Sequence, residues 1–211
     1  MTNNLKELTK DHHSSAERTE FTGIMLSGEI SPKLYYYYLA AQHQCYTALE
    51  DAVDLPQEYE GVFRQAAILE DMNELDGLHE FGEELPELPS VQEYINRINT
   101  LKSANDNEGL LAHLYVRHFG DMSGGQIIRT RVPGAGTMYD FDDIDFLKSG
   151  IRGLLHDGMA DEAKICFQYA EHMFNDLLNL TNVYYTESYA LANDLPTEEG
   201  SWDLDEDEIY E

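Results

Sequence analysis

Apolar residues recur at helical spacing along most of this 211-residue chain, and no run of strand-like alternation competes with them. Turn signals divide the pattern into successive helices. The first is expected over residues 5–19, where Leu5 and Leu8 start an apolar stripe. Ser31 followed by Pro32 is an N-cap with proline at the first helical position. The helix behind it is expected over 33–53. Its run Tyr35-Tyr36-Tyr37-Tyr38 would also suit a strand. The length, with Leu39-Ala40-Ala41 and Ala48-Leu49-Glu50, favours helix. A third helix is expected over 57–76, then a proline-punctuated loop over 84–89. Ser90 is expected to cap a helix over 91–104. Residues 107–131 continue the helical pattern but are interrupted by Gly120, Gly124 and Gly125. A loop opens at Pro133-Gly134-Ala135-Gly136, and two more helices are expected over 143–156 and 160–189. Helices without strands predict an all-α bundle. One domain is expected over 1–190, with an acidic, flexible tail over 191–211.

Charge narrows the choice of partners. The chain has 41 acidic and 13 basic residues, a net charge of -28. Such a surface repels nucleic-acid phosphates and anionic membranes, so neither is expected as a partner. No run approaches the ~20 apolar residues needed to cross a bilayer. The first residues lack the apolar segment of a signal peptide. A monomeric, cytoplasmic protein is the expectation. Cys45 and Cys166 fit no metal-binding spacing and are expected as small buried hydrophobes.

Several residues point to chemistry. Glycines inside a helix each cost about 1 kcal/mol relative to alanine. Gly120, Gly124 and Gly125 therefore imply bare backbone against a flat ligand, a kink, or close helix packing. Asp121 lies among them and is either a surface carboxylate or an acceptor aimed at that ligand. On the first helix, His12 and His13 point about 100° apart, so one face can use only one of them. Apolar spacing turns His12 inward. A carboxylate one turn on, Glu17, favours His13, because ligating histidines donate their second N–H to such a group. Lys148 and Arg152, also one turn apart, make a two-pronged cationic face in a cation-poor chain. It suits either a ligand with two carboxylates or ordinary surface pairing.

The segment Tyr115-Val116-Arg117-His118-Phe119-Gly120-Asp121-Met122-Ser123-Gly124-Gly125-Gln126 closely resembles the distal-helix signature of heme oxygenases. Residues 5–17, from Leu5 through His12-His13 to Glu17, resemble the family's proximal helix. Tyr46-Thr47-Ala48-Leu49-Glu50 and the stretch from Phe167 to Leu177 also match, so the resemblance spans about residues 5–180. It implies that heme b, both cofactor and substrate, lies between a proximal helix and a kinked distal helix. His13 would be the iron ligand, oriented by Glu17. Gly120, Gly124 and Gly125 would let the distal helix lie close over heme. Asp121 would anchor proton delivery, supported by Arg117 and Tyr46. Lys6, Tyr115, Lys148 and Arg152 would contact the propionates, and Phe167 would pack beside the macrocycle. The implied reaction opens heme at the α-meso carbon to biliverdin IXα, carbon monoxide and ferrous iron. It uses O2 and electrons expected from ferredoxin, docked on a basic rim of Lys6, Lys10, Arg18, Lys148 and Arg152.

Two departures from the family pattern stand out. Ala170 replaces a frequent asparagine, and the basic residues after the distal signature are reduced to Arg129. Two rival functions use the same residues differently. A heme carrier or sensor would need His13 and the cations but not Asp121. A non-heme di-iron oxidase would need several inward carboxylates and histidines, with His79 and Glu80 as candidates.

Overall fold

A computed structural model describes residues 4–81 and 85–184, and every regular element among them is helical. The acidic segment 191–211 and the last residues of the helix expected to end at 189 lie outside the described residues. Among those described, no helix is long and apolar enough to cross a membrane.

The helices are α1 (Leu5–Glu17), α2 (Glu20–Ser27), α3 (Pro32–Glu50), α4 (Gln65–His79), α5 (Pro89–Ser103), α6 (Asn107–Met122), α7 (Gly125–Arg129), α8 (Ile144–Arg152) and α9 (Ala160–Tyr184). The centre is α3, where every side chain from 34 to 42 is buried. This explains the tyrosine run: it belongs to a helix covered on all sides by α4, α5, α6 and α9. Ser31 caps it by accepting from the Leu34 amide, with Pro32 in the first turn. α9 is the second axis and packs against α1, α5 and α6.

Where the structure departs from the expected helices, tertiary partners explain most of the difference. The helix expected over 57–76 is two pieces, a 3-10 turn Gln57–Val62 and α4. The buried carboxylate of Glu50 accepts from the Arg64 amide at 2.6 Å and the Gln65 amide at 3.1 Å, so α4 starts on a cap supplied by α3. Ser90 does not cap α5. Its own amide donates to Asp176 on α9 at 3.0 Å, and Pro89 is already in the first turn. α8 stops at Arg152 rather than at 156. α2 was not expected, although Thr19 caps it through the Thr22 amide and Gly28 ends it at φ 78°.

The long helix expected over 107–131 breaks after Met122. Ser123 adopts φ -115° and ψ -94°, and α7 restarts at Gly125. Gln126 holds the break by donating to the carbonyls of Asp121 at 3.3 Å and Tyr139 at 2.8 Å.

Candidate heme-binding site

On α1, His13 Nδ1 lies 3.1 Å from Glu17 Oε2, the one-turn spacing of the sequence realised as a contact. Its ring meets Phe167 of α9 edge-on, with centroids 5.6 Å apart at 87°. Glu17 and Phe167 thus grip the imidazole from two helices. Lys6, Lys10 and Arg18 are exposed around this end of α1.

The glycines divide by role. A Cβ built on Gly120 would meet nothing within 4 Å, and one on Gly124 only the Gly120 carbonyl at 3.9 Å. These two expose bare backbone to open space, a cradle that side chains would fill. Gly125 differs from the expectation that put it against the ligand. Its Cβ would fall 2.5 Å from Tyr139 Cδ1. Its missing side chain admits a core tyrosine, so Gly125 is a packing glycine.

Beside the bare backbone, Asp121 is buried and accepts a 2.5 Å hydrogen bond from the Tyr46 hydroxyl. Burial pushes its carboxyl up to about 6, and the Tyr46 bond with the charges of His118, Arg117 and Arg64 offsets only part of that rise. Arg117 is also buried, donates from Nη1 to Gln42 Oε1 at 2.8 Å and lies 4.0 Å from the Tyr94 ring centroid. Tyr115 is raised by burial, with Thr9 of α1 and Arg152 of α8 close enough to offset part of the rise. That residue therefore joins α1, α6 and α8 at one edge of the site.

The cationic pair is asymmetric. Lys148 is buried and donates to Ser123 Oγ at 2.7 Å, tying α8 to the break in the distal helix. Burial and the nearby Arg152 lower its pKa, with Asp145 opposing. Arg152 is exposed and lies 5.7 Å from the Phe119 centroid. Lys148 therefore does not belong to an exposed basic rim, and Lys6, Lys10, Arg18 and Arg152 remain.

Sequence reasoning assigned no role to Tyr38, Gln42, Tyr139, His118 or Glu50. Tyr38, Gln42 and Tyr46 share one face of α3 at four-residue spacing, a legible signal, but only Tyr46 was singled out. Tyr38 and Tyr139 bring their hydroxyls to 3.3 Å beneath Asp121's side of the site. His118 and Glu50 form a fully buried pair at 2.9 Å, and their separation of 68 residues left no local signal. His79 stacks on Phe81 at 5.2 Å. Among the described residues, no group of three or more His, Cys, Asp or Glu side chains converges as a metal site, so the di-iron alternative finds no ligand set there.

A family model described as heme oxygenase matches residues 1–151. Heme oxygenase 2 of Mus musculus is 28% identical over 230 aligned residues, covering 95% of this chain and 72% of its own length. Heme oxygenase of Rhodella violacea is 32% identical over 156 residues, 66% of each chain. Among solved structures, heme oxygenase-1 of the cyanobacterium Synechocystis, in complex with heme, superposes with a TM-score of 0.70. That similarity covers 85% of this chain and 95% of the other at 23% identity, and it speaks for the fold. With a family match over more than half its length, and a distal helix bared at Gly120 and Gly124 beside a buried Asp121, this chain belongs to the heme oxygenase family of heme-degrading enzymes.

Proposed function

We propose that the chain, as a cytoplasmic monomer, opens heme b at the α-meso carbon to biliverdin IXα, carbon monoxide and ferrous iron, using O2 and electrons from a ferredoxin. The observation that carries this reading is the juxtaposition on α6 of bare backbone and a protonatable acid. Gly120 and Gly124 leave room for a flat group, and Asp121 beside them has a carboxyl pushed up to about 6. An acid near its midpoint at working pH both gives and takes a proton.

The remaining residues fit a flat, dianionic macrocycle. Glu17 accepts from His13 Nδ1, which leaves Nε2 as the nitrogen carrying the lone pair for iron. Lys148 and Arg152 offer two cations to the propionates, and the buried Lys148 gains most from an anion. When bound, heme supplies the iron that activates oxygen and the carbon that is oxidised. The protein's part is orientation and proton supply. Lys148 and Arg152 choose the in-plane rotation and hence the meso carbon, with Lys6 and Tyr115 completing the edge. Phe167 supports the proximal face. Tyr46 holds Asp121 in place through its hydroxyl, and Arg117 contributes its charge nearby. A carrier without turnover would have no use for this acid.

The test is anaerobic reconstitution with hemin, then O2 with ferredoxin and its reductase, with chromatography of the bilin and detection of carbon monoxide. Biliverdin IXα with carbon monoxide is expected. His13→Ala should lose the reaction and regain it with added imidazole. Hemin bound without any bilin would leave a carrier, and another biliverdin isomer would overturn the assigned orientation. Charge reversal at Lys10 and Arg18 should slow ferredoxin-driven turnover more than turnover driven by a small chemical reductant. Equal effects would remove the basic rim from the reading.

A further inference from the structure

Tyr38, Gln42 and Tyr46 of α3 face Arg117 and Asp121 of α6, and all five side chains are buried. A buried arginine and a buried aspartate one helical turn apart ordinarily pair, because an unpaired charge in the interior is costly. Here they do not. Asp121 takes its hydrogen bond from Tyr46 at 2.5 Å. Arg117 turns Nη1 to Gln42 Oε1 at 2.8 Å and stacks on Tyr94, while its Nε and Nη2 have no hydrogen-bond partner. The guanidinium thus directs its hydrogen bond to Gln42, with Tyr94 and Cys45 as its other close side-chain neighbours, and none to the carboxylate one turn on. Gln42 follows Tyr38 by one turn on the same face of α3, and the Tyr38 hydroxyl meets that of Tyr139 at 3.3 Å.

We propose that Gln42 is a positioning residue for proton transfer at Asp121: by holding Arg117 through Nη1 it keeps the guanidinium out of an ion pair with Asp121, and so leaves that carboxyl able to give and take a proton. This rests on the reading of Asp121 as the proton-handling group of heme opening. The other groups facing Asp121 do not replace Arg117. They are Tyr35, Tyr38 and Tyr46 from α3, His118 from α6, Arg64 at the start of α4, and Tyr139 before α8. Of these, Tyr46 makes the hydrogen bond, and Arg64 is committed to the carbonyls of Gly61, Val62, Phe63 and Asp140. Arg117 is the cation one turn from Asp121, and its hydrogen bond goes to Gln42. A carboxylate that gains an adjacent arginine drops by roughly 1–3 pH units and stays ionised at neutral pH.

The experiment is a carbon-13 titration of aspartate carboxyls in the heme-free protein, with Asp121 identified by the signal lost in Asp121→Asn. Gln42→Leu removes the acceptor at similar volume and should lower the Asp121 midpoint by about one unit or more. Gln42→Glu keeps the acceptor and adds an anion, so it should move the midpoint up. Opposite signs are not what general loosening produces. An unchanged or raised midpoint in Gln42→Leu, or a lowered one in Gln42→Glu, overturns the proposal. If Gln42→Leu does not fold, the Gln42→Glu arm decides alone. In heme-loaded protein the pH profile of bilin formation should move with the same sign, with hemin affinity unchanged. A parent protein that makes no bilin would sink the functional reading, while the heme-free titration would still show whether Gln42 holds Arg117 off Asp121.

Discussion

Asp121 and Glu162 are both largely removed from water and both are served by α6, yet their acidities diverge. Glu162, on α9, is pressed down to about 2. Burial works against its charge, but Arg97 Nε and His113 Nε2 each donate to it at 2.8 Å, and Arg97 Nη2 adds a further contact. Asp121, two turns beyond His113, is pushed up to about 6. Its one short bond comes from a neutral phenol, and the cations around it act without touching it. The difference is contact. Direct donors overcome desolvation and make a permanently ionised strut that ties α5 and α6 to α9. Cations held at a distance leave a carboxyl whose proton is exchangeable.

The largest expected effect separates chemistry from stability. Asp121→Ala should lower biliverdin yield by about 10²-fold or more while hemin still binds, as measured by product chromatography beside a hemin titration. Full yield would end the contrast between a working and a structural carboxylate. Next comes Glu162→Gln, which strands Arg97 and His113 and should cost about 3 kcal/mol in urea unfolding. The regiochemistry of heme opening should be untouched. A loss no greater than that of a surface substitution would mean the strut carries no weight.

pH sharpens the same contrast with opposite signs. Glu162 has a depressed pKa, so its stabilisation is present above the ordinary carboxyl range and is lost as pH falls toward about 2. Asp121 has a raised one, so its contribution is full below about pH 4 and is lost as pH rises through about 6. Asp121→Asn should therefore be more stable than the parent at pH 8, by on the order of 2 kcal/mol, and equal to it at pH 4. Melting temperatures across that range check the crossing. Equal differences at both pH values would show that Asp121 does not titrate on folding.

The smallest effect concerns the glycines. Gly125→Ala should cost about 1 kcal/mol or more, because its methyl meets Tyr139. Gly120→Ala should leave the heme-free protein as stable or up to ~1 kcal/mol more so, and should weaken hemin binding. If both variants behave alike in heme-free unfolding, the division between a packing glycine and a ligand-facing one is wrong.

Most of the helical architecture was legible, because a helix is closed by bonds four residues apart and announced by its own caps. Ser31-Pro32, the periodic apolar faces and the glycine interruption before 125 all act locally, and α2 shows that the Thr19 and Gly28 signals were present even where they went unread. Glu17 one turn from His13, and Lys148 one turn from Arg152, were equally readable from spacing. What the chain order could not reveal arises between elements. α4 starts where it does because Glu50 reaches across from α3, and α5 begins on an acceptor from α9. Residues of the same chemical kind then diverge by surroundings. Gly125 meets a ring while Gly120 faces open space, Lys148 is buried while Arg152 is exposed, and Glu162 meets cations that Asp121 is denied. Desolvation and Coulomb energies depend on distances through space, so the acidity of Asp121 was settled only when the packed helices buried it and α3 laid Tyr46 against α6.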